Sequence, residues 1–262
     1  MKLTGIYIYP IKSLGGISLH KSEVEFRGLK HDRRMMLVDK DGLFITQREY
    51  PSLGELDCSF EGTDLIVRNK KFPVKSIRID VNITDSELDA VVWTDEVKTF
   101  TMSREYDQYF SDHIGKQCKL VRMYNGSSRK TSEFDGLTAE VSFADGYPFL
   151  IVGESSLNDL NGRLDDKVEM KRFRPNLVFN NGNPFDEDSW KKFQIGSVQF
   201  QVVNKCPRCV VTTINPDTYQ AGKEPLKTLS GYRKIENQVY FGVNAVTHST
   251  GTIFIADKIL LG

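Results

Sequence analysis

The chain has 262 residues, and its 35 basic and 35 acidic side chains give a formal net charge of zero. This balance argues against a nucleic-acid-binding or membrane-surface protein, because such proteins usually carry a basic excess. No apolar run approaches the roughly 20 residues that cross a bilayer, so no membrane span is expected. The N-terminus lacks the apolar region of a signal peptide.

The cysteines bear on the compartment. They are too few and too irregularly spaced for the disulfide scaffold of a small secreted domain, and they lie at Cys58, Cys118, Cys206 and Cys209. A reducing compartment is therefore expected, and we predict a cytoplasmic location.

Short strands are predicted throughout the first half of the chain. Ile6 and Ile8 alternate with tyrosines, which is the period of a half-buried strand, and Pro10 is expected to end it. Further strands are predicted in pairs around short turns, at 36–39 with 43–46, 65–68 with 72–74, and 91–93 with 97–100, and singly at 77–81. Many short strands with turns every roughly 8–12 residues are typical of a β-barrel or sandwich.

Two helices are predicted to interrupt the strands. Ser103 is expected to cap the first and Gly115 to end it, with an aromatic stripe that faces the core or, alternatively, forms a cofactor wall. The second is expected at about 155–164, capped by Ser155 or Ser156.

The rest of the chain returns to strands. The polar stretch 125–138 is expected to be a long loop or a connection between domains. Strands are then predicted at 177–179, 198–203, 209–214 and 252–255. Because strands dominate and β–α alternation is absent, the fold class is predicted to be mainly β with a few helices rather than a doubly wound nucleotide-binding fold.

The sharpest local feature is the sequence Cys206-Pro207-Arg208-Cys209. A Cys-x-x-Cys pattern can be a thioredoxin-like dithiol, half of a zinc site, or the source of one thiolate ligand for a soft metal. The β-branched run after Cys209 is a poor helix former and disfavours the thioredoxin arrangement. Zinc would need a second close pair of cysteines or histidines, which the sequence lacks. Spacing alone also leaves open two ordinary buried cysteines.

Basic residues in predicted loops form the second feature. Lys12 and Ser13 come directly after the first strand and before a Gly-Gly turn, where main-chain N–H groups and one point charge can cradle an anion. Arg33 and Arg174 each precede a predicted strand. An arginine in that place is usually solvated or part of a structural ion pair, but its planar guanidinium also suits phosphate.

In their order along the chain these motifs resemble the MOSC family, named after the C-terminal domain of molybdenum cofactor sulfurase, and in particular its amidoxime-reducing members. The resemblance covers nearly the whole chain. It is carried by Tyr9-Pro10-Ile11-Lys12-Ser13, Asp32-Arg33, Pro148-Phe149-Leu150-Ile151, Phe173-Arg174-Pro175-Asn176, Asp188-Ser189-Trp190, Arg208-Cys209, Thr212-Thr213, Pro216-Asp217-Thr218, Lys223-Glu224-Pro225-Leu226 and Phe241-Gly242. It implies a MOSC N-terminal β-barrel domain at 1–115 and a MOSC β-barrel domain at 116–262.

The resemblance also implies that the chain binds the molybdenum cofactor, a phosphorylated pterin (molybdopterin) that carries molybdenum. Cys209 would be the molybdenum ligand and the essential catalytic residue. Cofactor-binding roles carry over to Lys12, Ser13 and Arg33 at the phosphate end, to Arg174 and Asn176 of the Phe-Arg-Pro-Asn motif, and to Arg208 beside the ligand.

Three departures from the family pattern fall on positions expected to touch the cofactor. Pro207 stands where amidoxime-reducing members often have serine, so that only its carbonyl could contribute. Gly146 and Tyr147 replace two hydroxyl residues, and Asn244 replaces an aromatic. These positions are retained as cofactor-binding, and substrate preference is expected to differ with them.

The function that the resemblance implies is an oxidoreductase that removes oxygen from small N-hydroxylated substrates such as amidoximes and hydroxylamines. No cysteine cluster follows Cys209 to hold an iron–sulfur centre. Electrons are therefore expected from an external donor protein of the ferredoxin, flavoprotein or cytochrome type. The alternatives are a carrier that transfers the cofactor or a persulfide sulfur on Cys209, and a thiol–disulfide protein that uses Cys206 and Cys209.

Overall fold

A computed structural model describes residues 1–135 and 138–262. The strands are β1 (Lys2–Ile8), β2 (Ile17–Leu19), β3 (Lys21–Glu25), β4 (Gly28–Leu29), β5 (Met35–Val38), β6 (Leu56–Glu61), β7 (Asp64–Asn69), β8 (Ser76–Asp80), β9 (Glu87–Val92), β10 (Asp95–Thr101), β11 (Lys119–Met123), β12 (Phe149–Gly153), β13 (Leu177–Asn180), β14 (Lys192–Ile195), β15 (Val198–Pro207), β16 (Lys234–Ile235), β17 (Gln238–Thr247), β18 (Gly251–Phe254) and β19 (Ile259–Leu261). The helices are α1 (Arg104–Ile114), α2 (Glu154–Asn161) and α3 (Leu226–Ser230), with 3₁₀ turns at Pro51–Glu55, Met170–Phe173, Asp186–Ser189 and Val210–Thr213. The mainly β prediction is confirmed. No helix in the described part of the chain is long and apolar enough to cross a membrane.

One large sheet forms the frame of the molecule. Its strands follow the order β19-β14-β15-β17-β12-β13-β1-β2, with β16 paired to β17. Neighbours are antiparallel except β12 and β13, which are parallel. Side chains from β1, β12, β13, β15 and β17 contribute to one of the apolar cores, which includes Ile6, Phe149 and Val243. The long strands β15 and β17 shift register twice where they pair, so the end of β15 at Pro207 is bent by bulges.

Three smaller sheets complete the fold. Their orders are β5-β11-β10-β9, β6-β7-β8 and β18-β3-β4. Strands from both sides of the predicted 115/116 boundary share sheets, since β1 and β2 lie in the large sheet and β11 pairs with β5. The boundary itself stays a prediction. Segments from the early and the late part of the chain are therefore hydrogen-bonded neighbours, as β1 is to β13 and β5 to β11.

The first helix forms where its capping residues predict it. The Ser103 side chain accepts a hydrogen bond from the N–H of Glu105, and Gly115 ends the helix in the left-handed conformation at φ 69°. Tyr106 and Phe110 are buried against β8 and β11, so the aromatic stripe faces the core. The predicted loop at 125–138 has little regular structure in its described part, and residues 136–137 lie outside the described residues.

Several local predictions are wrong, because the side chains or strand segments that they depend on form other contacts. β7 pairs with β8 rather than with residues 72–74, since Asn69 Oδ1 accepts from two main-chain N–H groups and lengthens the turn. Residues 43–46 make isolated bridges instead of a strand. The second helix begins after Gly153 without a side-chain cap, because the hydroxyls of Ser155 and Ser156 bond to Gly182 and Glu187.

Candidate functional site

One cavity of about 280 Å³ brings the predicted site residues together. Its wall includes all of Lys12, Ser13, Arg33, Gly146, Tyr147, Arg174, Asn176, Pro207, Arg208, Cys209 and Asn244. These residues come from both halves of the chain and from six separate segments. Their roles toward a cofactor stay predictions, but their convergence is a fact of the fold.

Lys12 lies at the bottom of this cavity on the turn after β1. Its side chain is only 6% exposed, and Nζ donates to the Phe143 carbonyl at 2.8 Å and pairs with the Asp145 carboxylate. Burial lowers the pKa of Lys12, and the ion pair with Asp145 only partly offsets it. Lys12 is therefore a desolvated cation, and a second anion bound beside it would stabilise its charged form.

Three of the predicted cofactor-binding residues have left-handed backbones. The φ angles are 75° for Ser13, 50° for Arg33 and 53° for Arg174. Non-glycine residues in this region cost about 1 kcal/mol or more each, and such strain collects at functional sites. Here each left-handed residue turns the chain at the end of a loop and places its side chain on the cavity wall.

Two arginines flank one tyrosine ring. The guanidinium carbons of Arg33 and Arg174 lie 4.6 and 4.1 Å from the centroid of the buried Tyr9 ring. Desolvation raises the pKa of Tyr9 to about 12, although the two arginines oppose that rise. The Tyr9 hydroxyl therefore stays protonated, and the neutral ring contacts both cations.

The two arginines differ in their partners. Arg33 donates to Asp32 at 2.6 Å and to Asn176 Oδ1 at 3.2 Å, and Asp32 is fully buried. Arg174 donates to the Leu14 carbonyl at 2.7 Å and pairs with no carboxylate among the described residues. Burial accordingly lowers the pKa of Arg174. Of the two, Arg174 is the cation that lacks a counter-charge.

Cys209 lies at the cavity mouth, and the segment after it corrects a prediction. Residues 210–213 form a 3₁₀ turn rather than part of a strand, with Cys209 as its N-cap. The hydroxyls of Thr212 and Thr213 bond back to carbonyls three residues earlier, at 2.9 and 2.8 Å. These local bonds override the β preference of the branched side chains. The turn leaves the Cys209 thiol exposed and directed at the cavity.

Arg208 hydrogen-bonds to Cys206, the other cysteine of the Cys-x-x-Cys pattern. Its Nη1 donates to Cys206 Sγ at 3.0 Å and its Nη2 to the Phe173 carbonyl at 2.6 Å. Its Nε is buried and has no hydrogen-bond partner among the described residues. Cys206 lies within β15 rather than at a helix start, so the thioredoxin arrangement is not formed.

The remaining predicted positions also line the cavity. Asn244 donates to Asn204 at 2.8 Å, and Asn204 in turn donates to the Tyr147 hydroxyl at 3.4 Å. The space around Gly146 is open, with nothing within 4 Å of where a Cβ would stand. Pro207 closes the end of β15. Asn204 stands two residues before the Cys-x-x-Cys pattern and joins two predicted positions, but it is not among the residues that the sequence predicts for the site.

The residues that sequence reasoning missed include an ion pair on the cavity wall, between Arg48 and Asp145. Arg48 Nη2 donates to Asp145 at 3.2 Å and to Cys209 Sγ at 3.5 Å. Burial would raise the pKa of Asp145, but Lys12, Arg48 and Arg33 outweigh it and hold that pKa well below its usual range. About half of the Asp145 side chain is open to the cavity. Both residues lie in polar loops without a recognisable motif.

The donor set of the cavity fits a phosphorylated pterin with a thiolate-bound metal. Among the described residues six basic side chains line it against one carboxylate, that of Asp145. The orphaned Nε of Arg208 and the open space at Gly146 leave donors and room for a polar ligand. No group of three or more His, Cys, Asp or Glu side chains converges in the described ranges, so the zinc interpretation has no ligand set there.

Comparisons with known proteins show the family of the chain. The family model for the MOSC N-terminal beta barrel domain matches residues 1–117, and that for the MOSC domain matches 138–260. The chain is 32% identical to mouse mitochondrial amidoxime-reducing component 1 and 30% identical to the human protein of that name, over 98% of this chain and 81% of each relative. It is 30% identical to rice molybdenum cofactor sulfurase over 92% of this chain, but it spans only 32% of that protein. The chain therefore belongs to the MOSC family, with relatives among the amidoxime-reducing components and the molybdenum cofactor sulfurases.

Proposed function

We propose that the protein is a molybdenum-cofactor-binding oxidoreductase that reduces N-hydroxylated compounds of the amidoxime and hydroxylamine type. The observation that carries this proposal is the exposed Cys209 thiol at the mouth of a cavity lined by six cations. The names of the amidoxime-reducing relatives support the reaction class. Each turnover consumes two electrons and two protons, breaks the N–O bond and releases water. An external donor protein of the ferredoxin, flavoprotein or cytochrome type would supply the electrons, and a cytoplasmic location stays a prediction.

Different residues of the cavity would bind different parts of the cofactor. Lys12, Ser13 and Arg33 would hold the phosphate end of the cofactor, and Arg174, Asn176 and Arg208 its polar ring atoms, with charge-assisted hydrogen bonds. Cys209 would supply the thiolate ligand. When bound, the cofactor would provide a redox-active metal that accepts the oxygen of the substrate. Asp145 balances Lys12 and Arg48 and, because its pKa is low, stays ionised rather than donating a proton.

Turnover is the direct test. Protein from a cofactor-competent host is supplied with an amidoxime and chemically reduced viologen, and amidine formation is measured. Wild type and Cys206→Ser are expected to turn over, whereas Cys209→Ser is expected to fall to background because the metal ligand is gone. Stoichiometric molybdenum in wild-type protein without any turnover would contradict the oxidoreductase.

A carrier of cofactor or persulfide sulfur is the second candidate. It is favoured by the accessibility of the Cys209 thiol and by the sulfurase relative. A positively charged neighbour, here Arg48 at 3.5 Å, also suits a sulfur anion. This function predicts a persulfide on Cys209 in mass spectra after incubation with a sulfur donor, together with no amidoxime turnover.

A further inference from the structure

An arginine distant in sequence is the hydrogen-bond donor to the Cys209 sulfur. Arg48 Nη2 lies 3.5 Å from Cys209 Sγ, across 161 positions of the chain. Arg208, the immediate neighbour of Cys209, instead donates to Cys206 and to a main-chain carbonyl. A residue from the early part of the chain, Arg48, therefore contacts the thiol of Cys209 in the late part.

Arg48 is held in this place from two sides. The Asp145 carboxylate accepts from the same Nη2 at 3.2 Å, and the guanidinium carbon lies 4.8 Å from the centroid of the Trp93 ring. Trp93 packs on Phe44 with ring centroids 5.0 Å apart and has a left-handed backbone at φ 58°. The Arg48 side chain is only a quarter exposed, so its position is fixed by packing as well as by charge.

We propose that Arg48 is a positioning residue that donates a hydrogen bond to the Cys209 thiolate when this sulfur binds molybdenum, and thereby raises the reduction potential of the metal. The inference rests on the proposed function, since it needs the bound cofactor. A hydrogen bond to a metal-bound thiolate withdraws electron density from the sulfur, weakens its donation to the metal and favours the reduced state. Arg48 is suited to this role because a guanidinium stays charged at every working pH.

The geometry also separates this role from cofactor binding. Phosphate binding is proposed for Lys12 and Arg33, whose side chains are less exposed than that of Arg48 and which have no hydrogen bond to the Cys209 sulfur among the described residues. Arg48 bonds to the sulfur itself. Loss of Arg48 should therefore change the electronic properties of the metal more than it changes the amount of metal bound.

The test is the midpoint potential of the bound molybdenum, followed by electron paramagnetic resonance during a redox titration. Arg48→Gln is expected to shift the potential to more negative values, with near wild-type molybdenum content and altered signal anisotropy. Arg48→Lys, which keeps the charge but not the fork, should shift it less, and Trp93→Leu should give an intermediate shift. Arg27→Gln is the matched control, because Arg27 is similarly exposed and pairs with Glu140 at 2.9 Å outside the cavity.

The outcomes are separable. An Arg48→Gln protein with full metal and an unchanged potential would overturn the inference while leaving the proposed function intact. Loss of the metal from Arg48→Gln would assign Arg48 to cofactor binding and overturn the tuning role. Wild-type protein without molybdenum would overturn the proposed function and the inference with it.

Discussion

Two groups of charged side chains in this protein are arranged in opposite ways. On the β6–β8 sheet, Arg68 and Arg78 bond to Glu61 at 2.5 and 2.6 Å, and Arg78 also bonds to Asp64 at 3.0 Å. Each arginine there has a carboxylate partner and faces solvent. In the cavity, six basic side chains face a single carboxylate among the described residues; Lys12 is buried and the five arginines are only partly exposed.

The difference shows where a ligand is expected. Exposed pairs are screened by water and contribute little, so their presence says nothing about function. Buried cations without partners are costly to keep, and a fold retains them where an anion binds. A net charge of zero for the whole chain conceals this local excess.

The largest effect is expected for Asp32, the buried carboxylate behind the cavity. Asp32→Asn should lower the free energy of unfolding by about 3–5 kcal/mol, because Arg33 would lose the carboxylate with which it forms its ion pair in a largely buried setting. Urea denaturation measures this. Asp64→Asn on the exposed sheet is the control, and equal losses in the two variants would contradict the contrast between the groups.

A smaller effect, confined to the ligand, is expected for Arg174. Arg174→Met should reduce cofactor retention by about tenfold or more, since a charge-assisted bond contributes roughly 1.5–3 kcal/mol. The cofactor-free protein should unfold at nearly the wild-type denaturant concentration, because the lost bond to Leu14 is offset by relief of desolvation. Molybdenum content after gel filtration gives the first quantity. Unchanged retention would remove Arg174 from the site.

The next smaller effect is expected for Arg172, whose side chain supports the turn after Cys209. Its Nη1 donates to the carbonyls of Thr212 and Ile214, both at 3.1 Å. Arg172→Met should therefore speed amide hydrogen exchange in 210–214 by about tenfold, which corresponds to losing roughly 1–2 kcal/mol. Lys171→Met is the control, since Lys171 pairs with an exposed glutamate. Exchange rates equal to those of the control would show that the turn is stable without the contacts from Arg172.

The smallest effect is expected on the exposed sheet. Arg78→Met should leave molybdenum content unchanged and lower the melting temperature only slightly at low salt, because solvent screens its ion pairs. The difference should vanish in high salt. A salt-independent loss of stability in this variant would mean that the sheet depends on these pairs.

The sequence indicated the scaffold better than the local geometry of the site. Alternation located β1 and β8, and capping residues fixed both ends of α1, because these signals are local. The turn after Cys209 was missed, since its β-branched residues favour a strand, whereas the hydroxyl bonds of Thr212 and Thr213 and the tertiary contacts from Arg172 favour the turn. Local propensity cannot report a partner forty positions away.

The same division holds for the cavity. Residues within family motifs, such as Lys12 and Cys209, could be named from sequence, and the fold brings them to one cavity. Arg48 and Asp145 could not, because each lies in an unremarkable polar loop and acquires its role only when the two halves of the chain meet.

The measurement that tests the central claim most directly is molybdenum per protein chain, determined by metal analysis on protein from a cofactor-competent host. Wild type and Cys206→Ser are expected to hold nearly one molybdenum per chain, and Cys209→Ser to hold almost none. Metal-free wild type, or a Cys209→Ser protein that retains as much molybdenum as wild type, would contradict the assignment of Cys209 as the ligand.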